Sequence, residues 1–210
     1  RNAHKIKSKE SSLIIMGYVD FDDFEWVVNE GIEFYVGQLF MLKKAIEVSR
    51  KLSKKARIHL DLETGMNRTG MDRKQLAAAI DIIKAHNDHF QVCGVCTHLA
   101  GAESIANHVR ITKQLRIFFK RLKLIERNEI NPGIRHTASS AATICYPKSR
   151  MDMVRVGIMA YGFWPTRETY IQYIHRNGKQ TNPLERAIEW KSLIMSVKSV
   201  KEGAFIGYGY

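Results

Sequence analysis

A cysteine pair three residues apart, an arginine inside an apolar run and a histidine at the end of another are the residues here whose types and spacing invite chemistry. Cys93 and Cys96 form a CxxC, the spacing of redox dithiols and of half a metal site. Their context, Gln91-Val-Cys-Gly-Val-Cys-Thr-His-Leu99, reads as a buried strand, where residues three apart point to opposite faces. A redox dithiol usually opens a helix, and nothing reads as one before Glu103, so core cysteines are expected and no metal. The third cysteine, Cys145, makes an odd number, which does not suggest a disulfide framework. Arg155 stands between Val154 and Val156, where an unpaired cation is costly and a partner is required. A structural salt bridge would supply one. His98 closes an apolar run, and such a histidine standing alone is most often structural. Taken alone, Ser140 is an ordinary helix cap, and Tyr208 an exposed aromatic on a strand.

The elements that must position these residues alternate. Strand-like apolar runs cover Leu13–Gly17, Ile32–Val36, Ile58–Leu62, Val92–Thr97, Ile134–Ala138 and Met153–Ala160. Between them lie helical patterns. Leu39, Leu42 and Ile46 mark a helix after Gly37; Leu76, Ala79, Ile80 and Ile83 line one face of Asp72–His86; Leu115, Phe118, Leu122 and Ile125 do so in the stretch ending near Arg127. Regular β-α alternation predicts an α/β fold with a parallel sheet and helices outside it. Six units fit an open doubly wound sheet and fall short of a (β/α)8 barrel. The pattern alone does not choose. After Tyr161-Gly162 the rhythm stops, and Pro165–Pro183 reads as polar and irregular, with turn signals at Asn177-Gly178 and Asn182-Pro183. Trp190–Val200 and Ala204–Tyr210 read as strands of a second, all-β domain.

A net charge of +12 from 33 basic and 21 acidic side chains raises nucleic acid as a partner. The basic residues are scattered over positions where helices face solvent, with no zinc finger, arginine-rich arm or RNP-like aromatic motif beside them. No nucleic-acid partner is expected. No run approaches the roughly 18 apolar residues of a membrane span. Arg1–Ser12 is polar throughout and unlike a signal peptide, so a cytoplasmic protein with no membrane partner is expected.

Five segments in order resemble the alanine racemases, fold-type III pyridoxal-phosphate enzymes. His59-Leu-Asp-Leu-Glu-Thr-Gly-Met-Asn-Arg-Thr-Gly70 is similar to the family's DTGMxRxG loop, and Cys96-Thr-His-Leu-Ala100 to its THFA. Arg135-His-Thr-Ala-Ser-Ser-Ala-Ala142 is similar to HxANSAA, and Asp152-Met-Val-Arg-Val-Gly-Ile-Met-Ala-Tyr-Gly162 to VRxGIxxYG. Gly203-Ala-Phe-Ile-Gly-Tyr-Gly209 resembles, more weakly, the GxxVxYG that opens the β domain. The resemblance implies a TIM barrel, (β/α)8, followed by a β domain. This chain would hold about six of the eight units in residues 1–183 and the start of the β domain in residues 184–210. It also implies a Schiff-base lysine on the first barrel strand, in a KANAYGHG-like segment that is not found here. The chain is therefore expected to be truncated at both ends and inactive alone, the intact parent being the enzyme.

The same resemblance assigns roles. With two units missing, Ile134–Ala138 and Met153–Ala160 become barrel strands seven and eight, after which such barrels often hold phosphate. Ser140 and the amides of Gly157 and Ile158 then fall at the cofactor phosphate, with His136 and, in support, Ser139 beside them. Arg155 faces the pyridine nitrogen, where a guanidinium, always protonated, limits the electron sink. His98 links that arginine to the catalytic tyrosine. Tyr208 is that tyrosine, one of two bases, entering from the other subunit; a phenol near pKa 10 needs cationic neighbours to act at neutral pH. Arg68 lies beside the cofactor and the substrate carboxylate. The family's carbamylated lysine is replaced by Asp61, expected to pair directly with Arg68; Glu63, on the same strand face, is the alternative. The expected function is a homodimeric racemase interconverting L- and D-alanine for peptidoglycan. A racemase of serine, lysine or ornithine, or a non-catalytic cofactor- or polyanion-binding protein, are the alternatives.

Overall fold

The computed structural model describes residues 1–178 and 181–208; Lys179, Gln180, Gly209 and Tyr210, with the closing Gly209 of the weakest motif, lie outside the described residues. In chain order the elements are α1 (Asn2–Ile6), β1 (Ile14–Ile15), α2 (Phe24–Asn29), β2 (Glu33–Val36), α3 (Leu39–Leu52) and β3 (Ala56–Asp61). There follow α4 (Arg73–Ala85), β4 (Phe90–Cys96), α5 (His108–Arg127), β5 (Ile134–His136), α6 (Ser140–Cys145) and α7 (Arg167–Asn177). The strands form one sheet in the order β1-β2-β3-β4-β5, with every neighbouring pair parallel. Successive parallel strands joined by helices make a half-barrel, the partial TIM barrel that the resemblance implies.

The two faces of the sheet differ. Phe34, Val36, Ile58, Leu60 and Val95 are wholly buried and belong to one apolar cluster with Leu42 and Ala45 of α3, Leu76 and Ile80 of α4, and Phe118 and Ile125 of α5. Each such large side chain contributes about 1.5–3 kcal/mol on burial. Helix ends are set locally. The Asp72 carboxylate accepts from the Gln75 amide at 2.8 Å and the Gln75 side chain accepts from the Asp72 amide at 3.1 Å, a capping box that starts α4. A register shift between Ile58 and His59 puts a bulge in β4, so strand alternation is interrupted inside the CxxC. Cys93, Cys96 and Cys145 are free thiols.

Three sequence expectations are corrected. Met153–Ala160 forms no strand. Two amides follow β5, Asp152 N–H to the Arg135 carbonyl at 3.1 Å and Arg155 N–H to the Ala138 carbonyl at 2.9 Å, and Ile158–Tyr161 then curls into a 3-10 turn. The carbonyls of His136 and Thr137 both accept from the Arg155 guanidinium, and since successive carbonyls face opposite edges of a strand, one that a sixth strand could have used is taken by a side chain. The stretch after Pro165 holds α7. Thr166 caps its first turn through a 3.2 Å bond from the Thr169 amide, and Gly178 ends it at φ +63°, where a glycine is at ease. Trp190–Val200 and Ala204–Ile206 carry no strand and are largely exposed. A strand exists by pairing, and no described strand lies alongside them.

Candidate active site

The carboxyl ends of the strands open into a cavity of about 700 Å³. Tyr35, Asp61, Arg68, Thr97, His98, Ser139, Ser140, Arg155, Gly157 and Ile158 are among its lining residues. Six of the nominated residues therefore meet there by side chain, and Gly157 and Ile158 join them. His136 is not among the lining residues, and Tyr208 is fully exposed away from the cavity. No lysine lines it.

The loops that carry these groups are tied to the scaffold by hydrogen bonds. After β3 the chain makes a closed excursion, pinned where the Met71 amide donates to the Asp61 carbonyl at 2.8 Å and the Glu63 amide to the Met71 carbonyl at 3.0 Å. Gly70 (φ +100°) closes it; a Cβ there would lie 2.8 Å from the Leu62 carbonyl carbon. Buried Gln114 of α5 donates to the His98 carbonyl at 3.1 Å and to the Thr64 hydroxyl at 3.2 Å, and accepts from the Ala100 amide at 2.9 Å. One side chain thereby fixes the loops after both β3 and β4.

Arg155 forms the floor of the cavity. One terminal nitrogen donates to His136 Nδ1 and to the His136 carbonyl, both at 2.8 Å; the other donates to the Thr97 carbonyl at 2.8 Å and the Thr137 carbonyl at 3.3 Å. A guanidinium has five N–H donors. Four are engaged, and Nε–H has no protein partner among the described residues. The partner that this half-buried cation required is thus a ring of neutral acceptors, not a carboxylate.

The pairing of Asp61 with Arg68 is not formed. No ion pair joins them among the described residues, and the Asp61 carboxylate has the Cys96 thiol at 3.9 Å. Burial pushes the Asp61 carboxyl up, against the Thr69 hydroxyl and the cations of Arg155 and Arg68, which favour its charge. The reason is loop geometry: Arg68 sits out on the excursion, exposed. Glu63 does not replace Asp61 as its anion, because its carboxylate accepts from the Gly65 amide and from the Asn67 amide at 2.7 Å and is spent folding the loop. His98 lies two residues beyond β4 without a side-chain bond to Arg155; burial and the Arg155 and Arg68 cations hold its imidazole below the usual range. His136 is the histidine that Arg155 touches. At the other wall, the Ser140 hydroxyl accepts from the Gly157 amide at 3.0 Å, and Ser139, not Ser140, caps α6.

Sequence reading missed Tyr35, Gln114, Glu33 and the reach of His59. The Tyr35 phenol lines the cavity 3.4 Å from His136 Nδ1, and burial pushes its pKa up, with Cys96 adding to the rise. Alternation within Glu33-Phe-Tyr-Val36 places Glu33 and Tyr35 on one face, which is the one signal that could have found them.

A half-barrel of parallel strands, with its cavity at the carboxyl ends and an arginine as its floor, defines a β/α-barrel chain whose site sits where such folds put chemistry. Residues 1–165 match the family described as alanine racemase, N-terminal domain. The chain is 32% identical to the alanine racemase of Thermobifida fusca over 186 residues, covering 87% of this chain and 46% of the relative. Its match to the alanine racemase of Methanococcus maripaludis is 31% over 198 residues, 94% of this chain and 50% of the relative. The solved alanine racemase of the D-cycloserine-producing Streptomyces lavendulae superposes with a TM-score of 0.72 at 28% identity, over 80% of this chain and 44% of that one. The chain belongs to the alanine racemase family. It spans about half the length of the curated relatives it matches.

Proposed function

We propose that the intact protein is a homodimeric, cytoplasmic alanine racemase that interconverts L- and D-alanine with pyridoxal phosphate, supplying D-alanine for peptidoglycan. The observation that carries the reading is Arg155, held by four acceptors at the cavity floor with one donor left over. The residues present fit the cofactor. Ser140 and the Gly157 and Ile158 backbone lie together at one wall, as a phosphate would need, and Arg155 offers its remaining N–H to a ring nitrogen. Pyridoxal phosphate supplies delocalisation of the negative charge left when the α-proton departs.

The chain's own groups do the rest. Arg68 has no hydrogen-bond or ion-pair partner among the described residues and offers a bidentate fork to the substrate carboxylate. Asp61, 7% exposed beneath it, sets the electrostatic balance between the two arginines. Tyr208 removes or returns the α-proton at its phenolic oxygen, in the partner's cavity; its full exposure here suits a residue that serves another subunit. His98 stands between arginine and tyrosine as the group through which they are linked. The second base would be the Schiff-base lysine that the family places on its first barrel strand, and residues 184–210 are read as the start of the β domain, although their described part carries no strand. The end of the last helix at Asn177 supports placing the domain boundary near residue 183.

Racemisation of L-alanine by the intact protein with added pyridoxal phosphate, followed by optical rotation, tests the proposal. Decay to zero rotation is expected, and Tyr208→Phe should then lower kcat by about 10²–10⁴, the ordinary contribution of a positioned acid-base group. A bound cofactor without decay would transfer the assignment to another amino acid. Failure to bind the cofactor would overturn it.

A further inference from the structure

Barrel interiors are ordinarily filled by branched apolar side chains. Here the inner face of the sheet carries an unbroken polar column instead. It runs from Arg155 at the cavity floor to the opposite end of the strands. Arg155 donates to His136 Nδ1 at 2.8 Å; His136 Nε2 lies 2.9 Å from His59 Nδ1; His59 Nε2 lies 2.6 Å from Glu33 Oε2; Glu33 Oε1 accepts from Arg57 at 2.5 Å. Both imidazoles are wholly inaccessible to solvent and Glu33 is 5% exposed. Room for the column is built in, since a Cβ on Gly94 would lie 2.6 Å from His59 Cε1.

The two ends leave one consistent arrangement of protons. A guanidinium can only donate, so His136 Nδ1 must accept, and the proton of that ring sits on Nε2. That proton is given to His59 Nδ1, which places the His59 proton on Nε2, where the Glu33 carboxylate receives it. Of the four acceptors around Arg155, three are backbone carbonyls that can never become donors. His136 alone could, by changing tautomer, and it would then push the guanidinium away.

We propose that Glu33 and His59 are positioning residues: together they hold His136 as an acceptor, and so determine which N–H of Arg155 is presented to the cavity. The consequence for cofactor rests on the reading of Arg155 given above; the tautomer chain does not.

The test uses the full-length protein labelled with ¹⁵N-histidine, without cofactor, and reads the ring nitrogens by long-range ¹H–¹⁵N correlation. His59→Gln and His136→Asn assign the two signals by their disappearance. At neutral pH both rings should be Nε2–H tautomers. Glu33→Leu should shift the tautomer balance of both, although His136 does not touch Glu33, and should weaken pyridoxal phosphate binding roughly tenfold, the scale on which outer-shell partners act at metal sites. Glu33→Asp should restore part of both effects. If Glu33→Leu does not fold, Glu33→Gln should give a smaller shift of the same sign. Finding either ring as Nδ1–H in the wild type, or a His136 signal indifferent to every Glu33 change, would overturn the proposal. The expected tautomers in a protein that binds no pyridoxal phosphate would support the chain while refuting the racemase assignment.

Discussion

Lowering the pH from 7 to 5 should destabilise this protein through His136. Burial, with the Arg155 cation and then His59 adding to it, brings the His136 imidazole down from 6.5 to about 3. A histidine whose folded pKa lies below its unfolded value binds its proton more readily when unfolded. Its contribution is therefore fully present above pH 6.5 and is lost as the pH falls toward 3. At pH 5 the unfolded ring is protonated and the folded ring is not. The gap is one and a half pH steps below 6.5, and at 1.36 kcal/mol per unit it removes about 2 kcal/mol. No solvent reaches His136, so screening does not reduce this figure. His136→Asn keeps an acceptor near Nδ1 but cannot titrate. Urea unfolding of the intact wild type and of the variant, at matched protein concentration and at pH 7 and 5, isolates the effect, because every other titrating group is common to both. The wild type should lose about 2 kcal/mol more than the variant over this interval. Equal losses would mean that His136 is protonated in the folded state, and the acceptor role assigned to it would be wrong.

Gly94→Ala should cost about 1–3 kcal/mol, the usual penalty for overpacking, because the added methyl would lie 2.7 Å from the Ile134 carbonyl oxygen as well as against His59; an unchanged melting temperature would show that the column has slack. Asp72→Ala removes one half of the capping box and should cost about 1 kcal/mol without altering cofactor binding, which thermal unfolding and a cofactor titration would read together. Cys93, pushed up to about 11 by burial and by Glu33, and the enclosed Cys96 should both be slow toward a disulfide reagent at pH 8. Relative to the unfolded chain, Cys93 should react roughly a hundredfold more slowly, since the thiolate is the attacking species; a thiol burst in the native protein would contradict the burial assigned to the pair.

Sequence periodicity was a good guide wherever one face of an element meets the apolar cluster. The helices expected after Gly37, over Asp72–His86 and ending near Arg127 are α3, α4 and α5, because their apolar spacing is the packing itself. Five of the six strand runs also pair in the sheet. The misses have other causes. Residues 167–177 bury little apolar surface, so α7 leaves a weak pattern; it is held by polar bonds, Arg176 to the Ile144 and Cys145 carbonyls among them, and by its caps, whose signals Thr166 and Gly178 are single residues. The sixth run has the right residues for a strand, but it follows β5 only to the Arg155 amide and then curls into a 3-10 turn. At the site, motif residues were legible one by one, while their partnerships were not. His59 and His136 are separated by 77 positions, and nothing local to either announces the other. Asp61 and Arg68 are seven apart, close enough to suggest a pair, yet the loop between them follows its own hydrogen bonds.

The sheet divides its labour between faces, and one pair of neighbours shows how. Ile58 points to the helices and His59, the next residue, to the inner column. A large-to-small change at Ile58 removes dispersion and leaves a void, which lowers stability without altering any charge near the cavity. A change at His59 leaves the apolar cluster intact but strands buried polar groups at both of its nitrogens. Among the described residues, His4 Nδ1 is the buried side-chain polar atom that lacks a partner, so the column is fully satisfied as it stands. A satisfied polar network in a barrel interior gives less stability than branched hydrocarbon would, and it becomes worse than hydrocarbon when any member is lost. What it gives in exchange is direction: hydrocarbon could fill the same space, but it could not tell Arg155 which of its donors to keep free.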